Sequence, residues 1–409
     1  MPLSLDRLAL GLLLATAAST GHAAEVSFEQ AKALQERIIT LDSHLDTPMN
    51  FARPGWDFFD RHDHSKDGSQ IDYPRMLEGA LDGGLWVIYT PQRGRSERDD
   101  IEARDHGLKR LAQIRELIAA HPDKLELALT ADDAARIKAA GKRVFYISIE
   151  NAAPLSRDPS LLQYYYDQGV RVVGITHTSN NDFGDSANTE AEWNGLSPKG
   201  KALVAEANRL GMVIDQSHAS DAVFDQVIEL SKAPILLTHT SADDVYEHPR
   251  NIDDARIRKL AAKGGVIMVN SLGSYIRDTG ETPAYRDELR ALYEKFGGRR
   301  GLKDEDRQAF LAAKQALDAK HKITPATIED YLAHILHIIK VAGPDHVGLG
   351  ADWDGGGGVV GLEDISLLPK ITQRLLQEGY SEQQVANIWG GNMLRVIRQA
   401  QALAEKPAQ

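Results

Sequence analysis

Eight short apolar runs, separated by stretches of helical pattern, limit the folds open to this chain more than any other feature. They cover residues 38–41, 85–89, 144–149, 170–175, 212–214, 235–237, 266–269 and 347–349. None shows the strict polar–apolar alternation of a half-exposed strand, so each reads as a strand buried on both faces. Helical stretches fall between most of them, for example at 101–120, 198–210 and 221–230. Buried strands alternating with helices predict an α/β fold with a parallel sheet. Eight such units predict a closed (β/α)8 TIM barrel rather than an open doubly wound sheet. No Gly-x-Gly-x-x-Gly follows the first strand, which also disfavours a dinucleotide-binding fold. One connection breaks the rhythm: residues from 272 to about 325 form a long, charged helical insertion between the seventh and eighth strands. Insertions there serve as lids or dimer contacts, or as solvated helical hairpins with a structural role only. A homodimer is one arrangement it leaves open.

The N-terminal segment reads separately. Arg7 is followed by an apolar core over residues 8–18, too short to cross a bilayer as a helix, and then by small residues. This predicts a cleavable signal peptide over 1–23, a single barrel domain over 24–409, and a periplasmic or secreted product with no membrane anchor in the mature chain. The chain has no cysteine, so disulfides and thiolate ligands are excluded, and any metal must be held by His, Asp and Glu. A formal net charge of -12 argues against nucleic acid and anionic membrane surfaces as partners.

The working residues of a barrel stand at the C-terminal ends of its strands. Those ends carry His44 and Asp46 in the stretch DSHLDTP, then Glu150, His177, His218, His239 and Asp352. A single buried histidine is usually a satisfied core residue; six strand ends carrying His, Asp or Glu are not explained that way. Imidazoles and carboxylates suit divalent metals of the zinc type. They can hold two cations, with Glu150 as the bridge between His44/Asp46 and His218/His239. Two such cations share a water whose pKa falls from ~15.7 toward ~7. Asp352 can take the proton from that water and pass it to a leaving amine, and His177 can donate to a developing oxyanion. Arg250 can clamp a carboxylate in a bidentate way, although on sequence alone an ordinary surface salt bridge explains it as well.

Other features read as structural. His334 and His337 lie on an apolar helix, and His346 precedes the eighth strand. Residues 51–68, with His62 and His64, read as a solvated loop, and Gly355 to Gly358 as a flexible loop lacking the Lys-Ser or Lys-Thr of a phosphate cradle.

Taken together, DSHLDTP, QIDYPRMLEGALDGGLWVIYTP, THTSNN, IDQSHAS, THTSADDVYEHPRNIDD, GLGADWDG and IWGGNMLRVI resemble the renal (membrane) dipeptidase family of zinc peptidases, from about Ile38 to the C-terminal region. The resemblance implies two Zn2+ per chain and dipeptide substrates, with tolerance of a C-terminal D-residue. It places His44 and Asp46 on one ion, His218 and His239 on the other, and Glu150 between them. It gives His177 and Arg250 to the substrate, Arg250 gripping its C-terminal carboxylate, and puts Asp352 beside the bridging water. The family's two glycines after the bridging glutamate are Asn151 and Ala152 here, and the lipid anchor and disulfide of its animal members do not carry over. Two other readings are an amidohydrolase acting on N-acyl amino acids or lactams, and a non-catalytic periplasmic peptide- or metal-binding protein.

Overall fold

The computed structural model describes residues 26–91, 94–298 and 302–405; the expected signal segment lies outside them. Nine strands form one parallel sheet: β1 (Leu41–Leu45), β2 (Gly83–Ile88), β3 (Leu125–Leu127), β4 (Arg143–Ile149), β5 (Val170–Gly174), β6 (Val213–Asp215), β7 (Leu236–Leu237), β8 (Val266–Val269) and β9 (Val347–Leu349). Eight follow one another around a barrel in the order β1-β2-β4-β5-β6-β7-β8-β9. The ninth, β3, is an addition that the apolar pattern does not announce. It pairs with residues 143–145 of β4, below the point at Ile147 where pairing with β5 begins.

The barrel is nearly closed. No ladder joins β9 to β1. A single parallel bridge, Leu45 to Trp353, spans the seam, with the Asp46 N–H donating to the Trp353 carbonyl at 2.9 Å. Asp42 completes the seam with its side chain. Its carboxylate accepts from Ala351 N and Trp353 Nε1, both at 3.1 Å, and from His44 N at 2.9 Å. A buried carboxylate thus takes the place of missing ladder bonds.

This explains where the first strand departs from expectation. It occupies Leu41–Leu45, not residues 38–41. Ile38 caps the helix Phe28–Arg37, whose start is fixed by a capping box between Ser27 and Gln30. Hydropathy marks Ile38 and Ile39, but the seam buries all five residues of LDSHL, because their polar groups find partners there. Gly83 and Gly84 are required by close approach in β2: a Cβ would lie 1.7 Å from the Val144 carbonyl oxygen and 2.0 Å from that of Asp42.

The lower half of the barrel interior is a layer of Leu41, Leu85, Val144, Tyr146, Val172, Val213, Leu236, Val266 and Met268. Met393, Val396 and Ile397 of the C-terminal helix Asn392–Ala402 plug it from below. Each aliphatic side chain taken from water here contributes about 1.5–3 kcal/mol. This accounts for IWGGNMLRVI as a packing element. It also leaves the opposite, C-terminal rim as the place for polar groups.

Between β8 and β9 the chain forms the helices Gly273–Ile276, Pro283–Lys295, Asp304–His321 and Ile328–Ala342. The last belongs to the barrel wall, burying Tyr331, Leu332, Ile335, Ile338 and Ile339. The middle two form a hairpin joined by Tyr285 Oη to Asp318 at 2.8 Å and Lys320 to Glu288 at 2.6 Å. The hairpin packs on the short helix His64–Asp67, within the segment expected to be a solvated loop. That segment is not merely solvated: Trp56 and Phe58 are buried in the main core, and His62 is paired with Asp67 at 2.9 Å.

Candidate metal centre

At the C-terminal rim the strands deliver their end residues to one point. His44 is the fourth residue of β1 and Asp46 follows it; Glu150 is the first residue after β4. His177, His218, His239 and Asp352 follow β5, β6, β7 and β9 within a few residues. Glu150 is the hub. Its Oε1 lies 3.2 Å from His218 Nε2, 3.4 Å from His177 Nε2, 3.7 Å from His44 Nε2 and 3.8 Å from His239 Nε2. His44 Nε2 also stands 3.4 Å from Asp46 and 3.9 Å from Asp352. Potential ligand atoms fall into three overlapping groups: His44/Asp46/Asp352, His44/Glu150/His239 and Glu150/His177/His218. All seven residues named from sequence therefore meet here, across segments more than 300 residues apart.

Two of them hold unusual backbones. His218 and Asp352 have φ of 68° and 65°, a left-handed conformation that costs a side-chain-bearing residue on the order of 1–3 kcal/mol. The surroundings impose it. Ala187 N donates to the His218 carbonyl at 2.8 Å, and Ser186 Oγ to that of His177 at 2.6 Å. Around Asp352, the N–H groups of Gly355, Gly356 and Gly357 all turn back to its carbonyl, at 3.2, 3.1 and 2.8 Å. The glycine run is thus a tight turn forming the wall of the site, not a flexible loop. A Cβ on Gly355 would lie 2.2 Å from both Asp352 Oδ1 and Asp46 Oδ2.

The electrostatics follow from burial. Glu150 is held well above the usual carboxylate range by burial, with little relief because Asp46 and Asp352 are close. Asp352 is pushed up to about 7 by the same cause, as is Asp42. Burial pushes His218 and His239 well down, reinforced by Arg250 and by their neighbouring imidazoles, so both are neutral. At His44 burial also acts downward, but the nearby Asp46 carboxylate, with those of Glu150 and Asp352, overcomes it and raises the group to about 10. The neutral imidazoles of His218 and His239 are in the state that divalent cations require of their ligands, and a cation bound at His44 would displace the proton its carboxylate neighbours hold there. Among the described residues His44 Nε2 and Glu150 Oε2 are buried without hydrogen-bond partners. In a folded interior such groups need an explanation, and a donor set of nitrogen and carboxylate oxygen without sulfur fits a divalent metal pair.

Arg250 is buried, not the surface ion pair that sequence alone would allow. Its Nη2 donates to the His239 carbonyl at 3.1 Å, its guanidinium lies 5.5 Å from the Tyr275 ring centre, and its Nε has no partner. Among the described residues no carboxylate lies within ion-pair distance of it. Asn151 is turned away from the site: it donates to the Thr90 carbonyl at 2.6 Å and accepts from Ala153 N at 2.8 Å. His334 and His346 bond to backbone and His337 to Asp254.

The chain matches the sequence profile described as membrane dipeptidase (peptidase family M19) over residues 28–409. It belongs to the M19 membrane dipeptidase family. Dipeptidase tcpJ of Claviceps purpurea is 30% identical over 373 residues, covering 89% of this chain and 77% of that protein. The probable dipeptidase PvdM of Pseudomonas aeruginosa superposes with a TM-score of 0.79 at 28% identity, over 92% of this chain and 99% of that one. A metallo peptidase from Rhodobacter sphaeroides, liganded with a phosphinate mimic of L-Ala-D-Ala, shares the fold at a TM-score of 0.71 and 23% identity, over 89% and 99% of the two chains. As an M19 metallo-dipeptidase, the protein has dipeptides as its substrate class, and its buried His/Glu groups are consistent with a binuclear metal site. Among the described residues no helix is long and apolar enough to cross a membrane.

Sequence reasoning passed over three residues that support the site: Asp42, Asp215 and Thr238. The available signal was a polar residue in a buried strand or directly after it, one to three positions before a candidate ligand. Burial then forces such a residue to find a partner, and the ligand's own strand is the nearest supply.

Proposed function

We infer that this M19 dipeptidase is an exported enzyme that uses two zinc ions to cleave the peptide bond of dipeptides, including those ending in a D-residue. The observation that carries the reading is the buried Glu150 carboxylate, with one oxygen facing four imidazole nitrogens and the other without a partner. His44, Asp46, Glu150, His218 and His239 would hold the ions, and a mainly imidazole and carboxylate donor set favours zinc. When bound, the ions supply an activated water and polarise the scissile carbonyl.

The protein's own residues do the rest. Asp352, on the rim 3.9 Å from His44 Nε2, takes a proton from the attacking water and returns it to the departing amine. His177, on the rim beside Glu150, donates to the carbonyl oxygen as negative charge develops there. Arg250 has donors left after its bond to the His239 carbonyl and no carboxylate of its own, so it receives the substrate's C-terminal carboxylate. A group that pins that carboxylate sets cleavage one residue from the C-terminus, and a site that fixes both substrate termini need not read the handedness of the last side chain. Export rests on the signal-like residues 1–23.

Two measurements test this. After zinc reconstitution, free Ala-D-Ala is expected to turn over and its N-acetyl derivative is not. Turnover of the acetylated compound alone would establish the N-acyl amidohydrolase reading, and turnover of neither a binding protein. Arg250→Ala is expected to raise KM by about 30-fold to several thousand-fold, since truncating a buried charge partner costs roughly 2–5 kcal/mol. An unchanged KM for dipeptides would remove Arg250 from substrate binding.

A further inference from the structure

The orientation of His239 is set from behind by two buried residues. Asp215 Oδ1 accepts from two backbone N–H groups, those of Ser217 and Thr238, each at 2.9 Å. Its Oδ2 lies 2.6 Å from Thr238 Oγ1, and that hydroxyl lies 3.0 Å from His239 Nδ1. All three side chains are buried. A carboxylate has no hydrogen to give, so the Thr238 hydroxyl must donate to Asp215. Its other neighbour, Ser217 Oγ, is 3.4 Å away and cannot compete at that length. Having given its one hydrogen to Asp215, the hydroxyl can only accept from His239. The hydrogen of His239 therefore resides on Nδ1, and Nε2 is left as a base. That Nε2 faces Glu150 at 3.8 Å and His218 Nε2 at 2.7 Å. His218, by contrast, has no partner at Nδ1 among the described residues.

We propose that Asp215 and Thr238 form a carboxylate–hydroxyl relay that fixes the tautomer and ring angle of His239 and so sets the affinity of the metal position it serves. They are positioning residues, since neither faces the reacting atoms. The inference rests on reading the cluster as a two-metal site. It distinguishes the two histidines after β6 and β7: one is held through its ring, the other through its strained backbone.

The relay makes an unusual demand of Asp215→Asn, which is isosteric and keeps a full set of hydrogen bonds. The new amide would donate to Thr238 Oγ1, the hydroxyl would turn to donate to His239 Nδ1, and the hydrogen on His239 would move to Nε2, the metal-facing atom. Zinc titration of the full chain against a competing chelator tests this. Wild type is expected to bind two equivalents. Thr238→Val is expected to weaken one of them about 10–100-fold, the usual effect of losing a partner behind a ligand, and Thr238→Ser to bind like wild type. Asp215→Asn is expected to weaken the same equivalent at least as much as Thr238→Val, with recovery of turnover at saturating zinc. Wild-type affinity in Thr238→Val would overturn the relay, and it decides the matter should Asp215→Asn fail to fold. Equal weakening in Thr238→Val and Thr238→Ser would also overturn it, because a packing effect would not be rescued by the hydroxyl. A wild type that takes up no zinc at all would instead overturn the two-metal reading beneath it.

Discussion

Asp352→Asn is expected to reduce kcat by ~10²–10⁴-fold, the range of a positioned proton-transfer group, with both metal ions retained. The substitution is a clean one. Asparagine tolerates the left-handed backbone that Asp352 adopts at φ 65° better than most residues. The turn of Gly355, Gly356 and Gly357 bonds to the carbonyl of residue 352, not to its side chain. What is lost is the carboxyl group that takes the proton from the attacking water and returns it to the leaving amine. Measuring kcat alongside zinc content separates proton transfer from ligation. Full activity with full metal content would remove Asp352 from proton transfer, whereas loss of one zinc would make it a ligand with His44 and Asp46.

Glu150→Gln should be as damaging by a different route. Fewer than two ions per chain are expected to bind, and turnover to fall on the order of 10³-fold, the scale of losing one preorganised electrostatic contact in a transition state. The metal-free protein is expected to keep its thermal stability or gain some. Burial opposes the charge of Glu150, and neighbouring carboxylates add to that; a neutral side chain of equal size escapes both. Zinc should therefore raise the melting temperature of wild type much more than that of the variant. Unfolding alone would lower both curves together. Two tightly held zinc ions in Glu150→Gln would end its assignment as the bridge.

Much of the fold was legible because buried parallel strands carry a dense apolar signal. The helices at Pro198–Leu210 and Asp221–Leu230 match their sequence-based bounds, since each has a Ser cap before it and a regular apolar face. The misplacement of β1 has a physical cause. Its residues Asp42, Ser43 and His44 are buried because the seam and the site satisfy them, and hydropathy cannot register a partner supplied from Ala351 or Thr238. The short β3 was invisible for a related reason. Three residues, one of them Glu126, gain strand geometry only from the edge of β4 that β5 leaves free.

At the site, the sequence by itself determined the chemical inventory. Nitrogen and carboxylate donors, no thiol, and their placement after successive buried strands followed from residue order, because a parallel barrel sends every strand end to the same rim. The tertiary structure alone decided how those donors meet. Glu150 became the hub because the strand ends place four imidazoles around it. Arg250 became a buried, uncommitted cation because the chain after β7 folds it beneath the His239 carbonyl. His218 and Asp352 were turned inward by positive φ, held by loops that the local sequence does not reveal. Distances of this kind depend on contacts between residues more than 300 positions apart, and no local pattern encodes them.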